Sequence, residues 1–193
     1  MPPLPLSLLE TLNRFTRLPE ADLLQMAACM EMKPLAKGEH FIRQGQMSQH
    51  VGFLLKGIMR VYHVDADKEH TSYFNFRSRN PFVSSFSSFL TRTPSLESIH
   101  ALEDCDLAMI SYTDLQRLYE QSIHLQKLGR LMAEYNYTLA IERIYSLQHQ
   151  SARQRYEQLL EIYPNLINHV PHHYIASYLG ITPESLSRVR KEK

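Results

Sequence analysis

The sequence predicts an α+β chain in which an antiparallel β jelly roll is followed by one long helix and a small helix-turn-helix domain. Three observations carry that reading. Between Met30 and Ile110, short β-rich runs follow one another, separated by Gly, Pro or charged pairs. Beyond Tyr112 the apolar spacing changes to three and four and stays helical. Near the C-terminus, Gly180 separates two short helical patterns. The 193 residues, 44% hydrophobic and 21% charged, suit one ordinary domain with a smaller second one and exclude disordered, collagen-like and low-complexity chains.

The elements follow in order. Leu8, Leu9, Leu12 and Phe15 recur at helical spacing, and Pro19-Glu20-Ala21-Asp22 opens a second helical segment that carries Leu23, Leu24 and Met26. Strands are expected at 30–35, 40–42, 51–55, 58–64, 70–76, 98–102 and 106–110, with Gly38, Gly45 and Gly57 at the turns. Thr113-Asp114 suits the start of a short helix. A longer pattern from about 124 to 148 then puts Leu128, Leu131, Met132, Tyr135 and Leu139 near one stripe. A helix of ~25 residues is about 37 Å long, more than a small barrel needs to cover itself, so it is read as a dimerisation helix. A helix lying on its own barrel is the alternative, which spacing does not separate. The first domain, a sensor barrel with its N-terminal helices and dimer helix (about 113–148), is expected over 1–150, and the helix-turn-helix domain over 151–193.

The second domain carries the functional signal. Its net charge is positive, with 6 Lys and Arg against 4 Asp and Glu over 151–193, while residues 1–150 hold 15 against 16. Tyr174, Ile175, Tyr178 and Leu179 make an apolar stripe, Gly180 breaks the helix, and Thr182 caps the next one with Pro183 at its first position. Ala176 suits a close helix crossing, and Leu186 and Val189 point inward. Thr182, Glu184, Ser185, Ser187, Arg188 and Lys191 are left to meet a DNA groove: Arg188 suits a guanine edge, Glu184 suits cytosine N4 or the orientation of Arg188, and the hydroxyls suit phosphates or bases. A helical hairpin with a charged outer face is the bland alternative.

Over roughly residues 15–193 the sequence resembles the CRP/FNR family of bacterial transcription regulators. The residues that carry the resemblance are Lys37-Gly38-Glu39, Gly45, the run Val51 to Gly57 with the strand after it, Ala101 to Leu107, and Ile175 to Val189. It implies a cyclic-nucleotide-binding-like jelly roll, a long dimer helix and a C-terminal winged helix-turn-helix, and hence a homodimer on a palindromic double-stranded DNA site, with RNA polymerase as a possible further partner. Two departures follow from the same resemblance. Where cyclic-nucleotide binders of the family carry a Gly-Glu pair and, some ten residues on, an Arg-Ser pair, this chain has Ser84-Ser85 and Ser95-Leu96-Glu97. Both the ribose-holding glutamate and the phosphate-pairing arginine are missing, Arg92 being misplaced in the loop before Pro94, so cyclic AMP is not expected as the effector and no cofactor is expected. The effector pocket, if the barrel has one, is expected at Ser84, Ser85, Phe86, Ser95 and Glu97. Pro183 stands where many relatives have a DNA-reading arginine, so their target sequence does not carry over.

Other chemistries find little support. The ten histidines show no metal-ligand spacing, and two cysteines give neither a disulfide framework nor an iron–sulfur set, so no metal site is expected. No Ser-His-Asp, P-loop, paired-carboxylate or cupin His-x-His signature is present, which argues against an enzyme. The Ser84 to Ser88 run reads as a polar solvated loop and Phe82, Phe86 and Phe89 as core. No apolar run is long enough to span a membrane and the first residues lack a basic leader region, so no membrane contact and a cytoplasmic location are expected. The second function reading is a ligand-binding jelly roll without specific DNA binding.

Overall fold

Alternating and continuous apolar runs between Met30 and Ser111 close into two facing antiparallel sheets. The computed structural model describes residues 4–164 and 166–191. Two helices, α1 (Leu6–Phe15) and α2 (Glu20–Ala28), precede the strands β1 (Met30–Leu35), β2 (His40–Ile42), β3 (His50–Lys56), β4 (Ile58–Asp65), β5 (Lys68–Phe76) and β6 (Phe82–Val83). A short helix α3 (Phe86–Thr91) leads to β7 (Ser98–Ala101) and β8 (Cys105–Ser111). One sheet runs β1-β8-β3-β6 and the other β2-β7-β4-β5, every pairing antiparallel, which is the expected jelly roll. Leu54, Met59, Val61, Val83, Ile99 and Leu107 fill the space between them. Gly57 turns β3 into β4 at φ +99, and a Cβ there would lie 2.4 Å from Cys105 Sγ, so no other residue fits this turn.

Helices follow: α4 (Tyr112–Gln121), α5 (Ile123–His149), α6 (Ala152–Ile162), α7 (Leu166–His169), α8 (His172–Leu179) and α9 (Pro183–Lys191). Ser111, not Thr113, caps α4, accepting from Asp114 N at 3.0 Å, and Ser151 with Gln154 closes a reciprocal capping box on α6. The α1, α2, α4 and α5 helices cover the outer face of the β1-β8-β3-β6 sheet through Leu8, Leu12, Met26, Leu118, Leu125 and Leu128. The Ser84 to Ser88 run is not a solvated loop. It turns into α3 with Ser84 and Ser85 at 1% exposure, because Phe82 and Phe89 on either side are anchored in the core and draw the serines in with them. The single turn α7 lies between α6 and α8.

The outer face of the second sheet is covered by the C-terminal helices. Ile58, Phe74, Phe76 and Leu102 share a core with Leu159, Ile175, Leu179 and Leu186. At its centre Arg60 is completely buried, its guanidinium 3.6 Å from the Tyr174 ring centroid and 4.4 Å from that of Tyr62, donating to Thr71 Oγ1 at 2.8 Å and to Glu69 at 2.5 Å. Ser177 on α8 joins the two domains as well, accepting from Thr71 N at 2.8 Å and donating to Glu69 O at 3.3 Å. Burial, with Arg60 and His40 nearby, pushes the His100 imidazole down to about 4, so this cluster stays uncharged at that position near neutral pH.

Candidate nucleic-acid interface and barrel interior

The turn between α8 and α9 follows from two residues. Gly180 takes the left-handed conformation at φ +68, and its neighbour Ile181 donates to Ala176 O at 3.0 Å, which turns the chain sharply after α8. Ala176, fully buried, permits the close crossing, while Leu179 and Leu186 seal the helix pair. Thr182 Oγ1 then accepts from Ser185 N at 3.3 Å and starts α9. The outward face of α9 presents Glu184, Ser187, Arg188 and Lys191, all exposed; Ser185 is half-buried and its hydroxyl accepts from Arg188 Nη2 at 3.3 Å. Hydrogen bonds from its own backbone amide and from Thr182 hold the Glu184 carboxyl below the usual range. Five of the six residues expected at a DNA surface therefore lie on one short helix, with Thr182 just before its first residue, and the last turn adds Arg190, which reaches His172 Nε2 at 3.2 Å. Arg190 belongs to the same basic run, whose charge suits a surface that meets phosphate. Among the described residues no strand follows β8, so the wing that the resemblance implies is not part of this domain's described structure.

The barrel residues split into two groups. Ser95 Oγ lies 2.9 Å from Ser85 Oγ and 2.6 Å from Glu97 O, while Ser84 Oγ donates to His50 O at 3.0 Å and contacts Ser48 Oγ at 3.1 Å. Burial raises the Glu97 carboxyl, an effect that a Ser85 hydrogen bond partly offsets, and burial with Glu97 close by raises the Tyr73 phenol. Phe86 does not join this group but packs on the opposite side, among the residues under α1, α4 and α5. Arg92 is committed elsewhere: it donates to Ser48 O and Gln49 Oε1, both at 2.7 Å, and stacks 4.1 Å from the Tyr112 ring. The serine group thus contains a carboxyl and no cation.

Residues 32–122 match the cyclic nucleotide-binding domain family. This segment has the fold of such a domain. With the long helix and α6–α9 behind it, the chain shares the fold of solved regulators, the wing aside. FixK2 from Bradyrhizobium japonicum is similar over 84% of this chain and 83% of its own, at 17% identity and a TM-score of 0.70. The c-di-GMP responsive global regulator CLP of Xanthomonas campestris is similar over 90% and 91%, at 16% identity and a TM-score of 0.66. A Eubacterium rectale protein classed with the transcriptional regulators of the CRP/FNR family is similar over 90% and 82%, at 20% identity and a TM-score of 0.67. No curated protein sequence matches the chain. Among the described residues no three His, Cys, Asp or Glu side chains gather to hold a metal, and His63 and His70 stack on each other across the β4–β5 hairpin. No helix of the described residues is long and apolar enough to cross a membrane.

The long helix α5 uses two faces. Leu128 is buried against the chain's own core, Met132 packs beside it, and the Tyr135 ring meets Phe15 edge-on while its hydroxyl donates to Arg79 O. Those three stripe residues are engaged within the chain; Leu131 and Leu139 lie half-buried at the edge. A different row, Ala133, Tyr137, Ala140, Ile144 and Leu147, is exposed along its whole length at alternating four- and three-residue steps, with Tyr137 at 69% exposure.

Proposed function

We propose that the chain is a homodimeric transcription regulator that binds a two-fold-related DNA site through α9. The observation that carries this is the constellation on α9: a capped helix, anchored by Leu186, that holds Glu184, Ser187, Arg188 and Lys191 outward side by side. The unpartnered Ala133 to Leu147 row supports a parallel helix pair, with a second copy covering it. Contacts to RNA polymerase follow only if the regulator activates. A ligand-binding jelly roll without DNA specificity is the reading to beat. Arg188→Ala should cost about 1–3 kcal/mol on the preferred duplex and relax its sequence preference, while Lys191→Ala should weaken all duplexes alike and flatten the salt dependence. Fluorescence anisotropy on preferred and scrambled duplexes reads both. Unchanged affinity and preference in Arg188→Ala would remove it from the readout.

Cyclic AMP is not the effector in this reading. A buried cyclic phosphate needs a compensating cation, and the serine group offers Glu97 instead. Melting in millimolar cyclic AMP or cyclic GMP should match melting in buffer. A rise of several degrees that disappears in Ser85→Val would contradict this.

A further inference from the structure

The geometry points to a second ligand site in this protein, outside the barrel interior: a cavity between the β1-β8-β3-β6 sheet and α5 that takes an uncharged, largely hydrocarbon molecule about the size of a substituted benzene. The cavity measures about 230 Å³ and is walled by Phe53, Phe82 and Ala108 of the sheet, by Phe89 of α3 and by Leu125 and Leu128 of α5. None of its wall residues is charged, and neither the serines nor Glu97 line it. Leu90, which is 66% exposed, stands at the wall and marks the mouth.

Size and chemistry set the ligand class. An apolar cavity of about 150 Å³ stays dry and takes up benzene, so this larger one has room for a ring with a short side chain. An ion entering it would lose its hydration with no countercharge to replace it, which excludes carboxylates and phosphates. Two amides, Gln116 and Asn136, are the polar side chains of the wall besides the Tyr119 hydroxyl, and Asn136 Nδ2 is already spent on Met132 O at 3.0 Å. They leave room for one hydroxyl or carbonyl on the guest. Ala133 belongs both to this wall and to the exposed row on α5, so the guest would touch the helix that the proposed dimer shares.

Uptake is tested on the full chain without DNA, so its outcome is separate from that of the DNA-binding reading. Saturating ethylbenzene should raise the melting temperature by several degrees, and benzoate at the same concentration should leave it unchanged. Ala108→Leu, which fills the cavity from the sheet, should abolish the ethylbenzene shift. Because that variant risks misfolding, crystals of the wild type under xenon provide a second reading, with density expected between Phe53 and Leu128. No ethylbenzene shift and no xenon in the cavity would overturn the site. A benzoate shift equal to that of ethylbenzene would overturn the assigned ligand class.

Discussion

Replacing Tyr137 and Ile144 together with glutamate should turn the protein into a monomer at micromolar concentration and lower its specific DNA affinity by about 10³-fold or more. The exposed row on α5 runs from Ala133 to Leu147 in a helix of 27 residues, about 40 Å long. Its alternating steps of four and three keep one seam facing a partner helix, and Tyr137 and Ile144 are its largest central members. Two carboxylates on each helix would meet their copies across a parallel seam, unpaired and partly desolvated. A monomer engages one half-site, so the specific complex loses most of its advantage over random DNA. Sedimentation velocity reads the first effect and anisotropy the second. A wild type that sediments as a monomer, or a double variant that remains a dimer, would show that the seam is not used. The same charges at Leu128 or Tyr135 would instead damage the fold, because those side chains are packed inside their own chain.

Arg60→Ala should destabilise the protein by about 3 kcal/mol. The side chain is fully buried between the rings of Tyr62 and Tyr174 and donates to Thr71 and Glu69. Truncation opens a cavity between two aromatic faces and takes the partner from a buried hydroxyl. Loss of a buried ion-pair partner costs about 3–5 kcal/mol, and the low end applies because the Glu69 side chain is 45% exposed and rehydrates. Arg60→Met fills most of the same space and should cost clearly less. Urea unfolding with unchanged m-values compares the two. Equal losses in both variants would assign the effect to charge, and no loss in either would mean that the domain contact contributes nothing. Since Tyr174 belongs to α8, proteolysis of the helical domain should also speed up in Arg60→Ala before global unfolding.

The strands and the helix-turn-helix were legible because each is written in local pattern. Runs such as 58–64 sit between turn residues that fit their turns, and Gly180 with Thr182 specifies a break and a restart within three positions. Ser84, Ser85 and Ser88 are buried although hydroxyls in a row look like solvated loop, because the anchoring of Phe82 and Phe89 draws them inside, while Ser87 stays exposed. On α5 both faces are apolar enough to serve as core. Which one meets the barrel depends on where α1 and Arg79 sit, and that is tertiary information. Arg60 is the clearest case of the same limit: one arginine in a strand reads as solvent-facing until Tyr174, more than a hundred positions later, is folded onto it. The residues of the proposed DNA surface are grouped in the sequence because they fall on the cap and consecutive turns of one helix.

In the proposed complex, two copies of α9 read one symmetric DNA site. Selection of bound duplexes from a randomised pool by the wild-type protein tests it most directly. An enriched palindrome is expected, with half-sites ~34 Å apart, centre to centre, and a complex of two chains per duplex. A pool that stays random after repeated rounds, with binding that depends on salt alone, would contradict it.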